Sequence, residues 1–89
     1  MARKIYSKKI KDNLDEYYYY IVRKKNGEYY IVSEAILYDK VAPTVTVVWG
    51  HIKQCLKIKK EEIGEIIDLI EKDVELFEEE YGFRDWQDC

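Results

Sequence analysis

The chain has little that would stiffen it, cross-link it or bind a metal: one proline, four glycines, two cysteines and one histidine among 89 residues. Two cysteines, Cys55 and Cys89, are too few for a disulfide framework, and no Cys-x-x-Cys or Cys/His spacing suggests zinc. They read as free thiols, which points to a cytosolic setting. No apolar run approaches bilayer length, and Met1-Ala2-Arg3-Lys4-Ile5 lacks a signal-peptide core, so a soluble cytoplasmic protein without membrane contact is expected. Gly27, Gly50, Gly64 and Gly82 are isolated, which excludes a glycine-rich phosphate loop. His51 has no serine or cysteine tied to it by motif. Carboxylates cluster only along one helical face, with no apolar pocket to raise a pKa. The expectation is a non-enzyme with no cofactor and no metal.

What is present argues for a folded globule. Hydrophobic residues make up 47% and aromatics 15%, with nine tyrosines against two phenylalanines. Tyrosine packs as an apolar body with a polar tip, so it suits half-buried sheet faces and interfaces. A chain of 89 residues is read as a single domain, 1–89. Charge is divided along it. Residues 1–59 hold twelve Lys/Arg against six Asp/Glu; residues 60–89 hold three against twelve.

The clearest local signal is a β-hairpin. Tyr17-Tyr18-Tyr19-Tyr20-Ile21-Val22 and Tyr29-Tyr30-Ile31-Val32 flank a charged tip ending in Asn26-Gly27. Asn-Gly favours a two-residue type I′ turn, which pairs Lys25 with Glu28 and Val22 with Ile31. That register gathers Tyr17, Tyr19, Ile21, Arg23, Tyr30, Val32, Glu34 and Ile36 on one face. Neither face is then cleanly polar. Either both are covered, or one is left as a tyrosine-rich surface for a partner.

Along the rest of the chain, Arg3–Lys11 reads as a lysine-guarded edge strand. Residues 11–16 read as a polar link with one helical turn, capped by Asp12 or Asn13. Pro43 ends regular structure, and Thr44–Trp49 forms the next strand. Gly50-His51 reverses the chain into Ile52–Lys59, which has one apolar and one basic face. From Lys60 the period becomes helical: Ile63, Ile66, Ile67, Ile70, Val74, Phe77 and Tyr81 form one stripe, ended by Gly82. Gly64 reads as a point of close packing on the sheet. The tail aromatics Phe83 and Trp86 either fold back or stay exposed. The expected fold is α+β: an antiparallel sheet of about five strands with the Asn26-Gly27 hairpin at its centre, then one long C-terminal amphipathic helix on one face.

Function then turns on surfaces. In size, lack of motifs, Lys/Glu/Ile/Tyr composition and helical acidity, the chain resembles small phage-encoded inhibitors of bacterial defence, the anti-CRISPR type. The resemblance is one of style and carries over no site residues. It implies a protein that blocks a nuclease or effector complex by occupying a nucleic-acid or assembly surface. The expected contacts are Tyr17, Tyr19, Arg23 and Tyr30 on the hairpin, and Glu71, Glu75, Glu78 and Glu79 on the helix. A homodimer through the sheet is expected as well. The alternative is a single-stranded nucleic-acid-binding domain, with tyrosines stacking bases and Arg3, Lys4, Lys8, Lys9, Arg23, Lys24 and Lys25 on phosphates.

Overall fold

The computed structural model describes residues 2–89. β1 (Arg3–Asp12), β2 (Asp15–Arg23), β3 (Tyr29–Ala42), β4 (Val45–Ile58) and β5 (Gln87–Asp88) form one sheet in sequence order. Every neighbouring pair is antiparallel. After a 3₁₀ turn at Lys60–Glu62 come α1 (Ile63–Lys72) and α2 (Val74–Tyr81), which pack against each other and on one sheet face. The fold is α+β, with a five-stranded antiparallel sheet followed by helices. Its details depart from the sequence reading in four places.

The first is the central turn. Gly27 N donates to Lys24 O at 2.9 Å, and Lys24 N donates to Glu28 O at 2.8 Å. Lys25-Asn26-Gly27 is therefore a three-residue loop, and Gly27 alone takes positive φ, at 88°. A glycine at the last loop position absorbs the left-handed turn at no steric cost, so Asn26 need not. The added residue shifts the register by one, and Ile21 faces Ile31 while Tyr19 faces Ser33. With a side-chain period of two, that slip exchanges the faces of β3. Tyr17, Tyr19 and Ile21 now share a face with Tyr29 and Ile31. Tyr18, Tyr20 and Val22 share the other with Tyr30, Val32 and Glu34. The shift resolves the mixed faces, because Ile21 and Ile31 reach the core together.

The second is the link between β1 and β2. Asp12 pairs with Asp15, leaving Asn13-Leu14 as a tight loop rather than a helical turn. Asn13 sits at φ 55°, a conformation asparagine tolerates better than most residues.

The third concerns β3 and β4. Pro43 does end β3, but Gly50-His51 does not reverse the chain. β4 runs through both residues, with a register shift between Leu37 and Tyr38 that leaves Trp49 as the extra residue. Gly50 faces Leu37, and a Cβ there would meet Leu37 Cδ1 at 3.2 Å. The glycine marks a bulge with close side-chain approach. The fifth strand is instead β5, from the tail. Cys55 and Cys89, expected as free thiols, are joined by a disulfide across this edge. The free-thiol argument for a cytosolic setting therefore lapses. No helix among the described residues is long and apolar enough to cross a membrane.

The fourth is the helix, which is two helices. Asp73 leaves helical geometry at φ −168° and caps α2, its carboxylate accepting from Glu75 N at 2.9 Å. Aspartate is a strong N-cap, and Glu75 adds favourable charge to the new first turn. Gly64 meets nothing within 4 Å of an added Cβ, so it is not a close-packing site.

The core lies between the helices and the body of the sheet. Ile66, Ile70, Phe77 and Tyr81 pack over Tyr19, Ile21, Ile31, Leu56 and Ile58. Phe77 is central. It meets Tyr19 edge-on at 5.6 Å, stacks on Tyr81 at 5.2 Å, and meets Trp86 edge-on at 6.3 Å. Trp86 does fold back, its indole N–H donating to Tyr81 O at 2.8 Å, whereas Phe83 is 82% exposed.

Candidate functional site

The helices cover one face and only part of the sheet's length. Two surfaces are left: the opposite face of the body, and the far half of the β3–β4 hairpin.

The opposite face alternates tyrosine and lysine because each strand sends every second residue there. Across the strands, Lys4 lies beside Val22, Tyr30 and Lys57, and Lys9 lies beside Tyr18, Glu34 and Lys53. Ammonium groups sit over rings: Lys4 over Tyr20 and Lys24 over Tyr30, each 4.2 Å from the centroid. Lys9 lies 5.7 Å from the Tyr18 centroid and bonds Glu16. Lys57 pairs with Glu28, which holds the Glu28 carboxyl below its ordinary range. His51 Nε2 lies 2.6 Å from Glu34 Oε2 at the surface. The disulfide draws Gln87–Cys89 along the edge of this face and walls a groove of about 580 Å³ over Tyr20, Val32 and Lys53. The result is an aromatic floor under cations, suited to an anionic or π-rich contact.

The far half of the hairpin is different chemistry. β2 accompanies β3 only as far as Ile36, and β5 accompanies β4 only at Gln54 and Cys55. Beyond these points, among the described residues, β3 and β4 pair only with each other and run out to the Pro43-Thr44 loop. Fourteen residues at about 3.3 Å each span roughly 46 Å, which matches the 47 Å long axis of the molecule. On this arm Trp49 is 65% exposed, Val41 59% and Val48 54%, and Ile52, at its base opposite Ala35, is 54% exposed. Leu56 and Ile58, on the same strand face as Ile52, are buried because the helices reach them.

The expected contact residues fall into separate places. Tyr19 is 6% exposed beneath α2, donating its hydroxyl to Glu78 Oε1 at 2.7 Å. Burial first, and then Glu78, push its phenol well above the ordinary tyrosine range. Tyr17, Tyr19 and Glu75 line one shallow groove of about 440 Å³ between the β1–β2 loop and α2. Glu71 bonds Lys8 at 2.8 Å, which lowers its carboxyl pKa. Glu79 is exposed on α2, whereas Arg23 lies at the end of β2 with its guanidinium 6.0 Å from the Tyr29 centroid. Tyr30 is on the opposite face under Lys24. The structure thus gathers Tyr17, Tyr19, Glu75 and Glu78 on the helix side and leaves Arg23 and Tyr30 away from them.

Sequence reasoning missed the arm. Its signal was legible: residues 41–52 contain no Asp, Glu, Lys or Arg in a chain that is 37% charged. Dividing that run at Gly50-His51 hid its continuity. Among the described residues, no group of three or more His, Cys, Asp or Glu is placed to hold a metal ion. Compared with known protein families, curated proteins and solved structures, the chain matches none of them.

Proposed function

We propose that this chain is a non-catalytic protein-binding module whose working surface is the β3–β4 arm. One observation carries the reading: a two-stranded ribbon whose residues 41–52 include no Asp, Glu, Lys or Arg exposes Trp49, Val48, Ile52 and Val41 away from the core. Several large apolar side chains left exposed on one element are typical of contact sites, and a two-stranded ribbon alone is marginal in water. Tryptophan is also among the commonest anchors of interface energy. The acidic helix side, with Glu75 and Glu79 exposed, supports a partner that carries a basic groove, such as a nuclease or effector complex. On that reading the protein acts as an inhibitor that occupies its partner's surface.

A second reading is favoured by the lysines over Tyr20 and Tyr30. A single-stranded nucleic acid could displace those ammonium groups from the rings and take its phosphate contacts from them. The test is capture from a bacterial lysate by the tagged full chain, with nuclease, comparing wild type with Trp49→Glu. A protein partner that survives nuclease and is lost with the variant supports the arm. Capture of protein unchanged by the variant overturns the arm as the surface, and recovery of nucleic acid that fades with salt favours the second reading.

A further inference from the structure

We infer that the arm's partner is a second copy of this chain, joined by antiparallel pairing of the two free β4 edges about a two-fold axis near Trp49. This rests on the arm being the protein-binding surface. The outer edge of β4 is covered by β5 at Gln54 and Cys55, and Cys89 N donates to Lys53 O at 3.4 Å, which leaves Val45–Ile52 unpaired on that side among the described residues. An unpaired strand of this length offers a row of backbone donors and acceptors about 26 Å long.

Soluble proteins defend such edges with lysine, proline, inward charges or covering loops. Here Lys53 stands at one end and Pro43 in the loop beyond the other, and between them only the Trp49 bulge interrupts the edge. On the loop side of the bulge stand Val45, Thr46, Val47 and Val48, β-branched residues that favour strand pairing, and on the other side Gly50, His51 and Ile52.

Charge selects the occupant. The body of the chain is dense in charge of both signs, whereas residues 41–52 hold none. A charged partner finds no Asp, Glu, Lys or Arg along this edge, since the arm's Asp39 and Lys40 lie on β3, on the other side of β4. An identical arm meets no like-charge repulsion, and a two-fold axis matches each edge to its own sequence. Edge pairing over this length lets Trp49 and the valines of the two copies cover one another. It also extends the sheet continuously from one copy into the next.

The experiment is sedimentation velocity and light scattering on nuclease-treated full-length protein across a hundredfold concentration range. Wild type, Trp49→Lys and Val47→Lys are compared, with circular dichroism confirming that each is folded. The expected result is a wild-type mass of twice 10.8 kDa at the upper concentrations, with both folded variants shifted at least tenfold toward monomer. A wild type that stays monomeric throughout, or folded variants that dimerise as wild type does, overturns the inference. Lysate capture separates the two claims. A monomeric wild type whose protein capture still depends on Trp49 ends self-pairing and leaves the binding module standing. A dimer whose capture ignores Trp49 does the reverse.

Discussion

Phe77 and Tyr19 show how unequal single side chains are in this fold. Phe77 is fully enclosed by Tyr19, Tyr81 and Trp86, so truncation leaves a cavity that its neighbours cannot close. Phe77→Ala is expected to cost about 3–5 kcal/mol in urea unfolding. Tyr19→Phe removes only the hydroxyl bond to Glu78 and is expected to cost about 1 kcal/mol. The same hydroxyl predicts a pH dependence. Its pKa is raised in the folded state by burial and by Glu78, so folding favours the neutral phenol. That contribution is complete below the ordinary tyrosine value of about 10 and is lost as pH rises toward the folded value. Thermal melts from pH 8 to 11 should show stability falling above pH 10, and Tyr19→Phe should flatten that fall. On the acid side the sign reverses. Glu16 beside Lys9, Glu28 beside Lys57 and Glu71 beside Lys8 are lowered, so their contribution is present above the ordinary carboxylate range and is lost as pH falls.

At the scale of elements, the two helices explain why periodicity missed their break. Ile63, Ile66, Ile70, Val74, Phe77 and Tyr81 remain in phase for a continuous helix, and α1 and α2 bury the same stripe. Hydrophobic spacing reports which face is buried and is silent about a bend that keeps that face inward. The cap residue was the available sign, since Lys72-Asp73-Val74-Glu75 places a cation, a cap and an anion where a stop and a restart need them. Asp73→Ala is expected to lower stability by about 1 kcal/mol through loss of the bond to Glu75 N, read as a fall in melting temperature. Gly64→Ala is expected to act oppositely. An added Cβ meets nothing, so the gain is up to about 1 kcal/mol by the same melt. If Gly64→Ala destabilises instead, the open space at that helix turn is wrong.

Over the whole molecule, the tail and the arm decide the shape of the exposed sheet. The disulfide closes a separation of 34 residues and holds β5 on β4 at Gln54 and Cys55. Cys89→Ser is expected to cost about 3–4 kcal/mol by loop-closure entropy. Amide exchange should then quicken at Gln54 and Gln87 before it does in the core. Reductant should reproduce the effect in wild type and do nothing to the variant. The free edge of β4 would lengthen toward the body, so the variant should associate at least as readily as wild type if the edges pair.

Strands, helical stripe and charge division were legible in the sequence because each is a local pattern. Alternation along Val45–Val48, threefold and fourfold spacing from Ile63 to Tyr81, and the acidic outer face need no knowledge of neighbours. The core residues of the helices follow from that spacing alone. The faces of the central hairpin did not, because one residue in the loop decides which side of β3 is buried. Asn26-Gly27 is compatible with both loop lengths, and burial of Ile21 with Ile31 selects the longer. Whether Gly50 turns the chain or bulges it is likewise settled by Leu37 opposite, a contact between residues 13 apart in sequence. The pairing of Cys55 with Cys89 needs α2 and the tail to return to β4 first. The exposure of the arm belongs to the same class. A charge-free run is visible in one dimension, but only the short reach of β2, β5 and the helices leaves it without a cover.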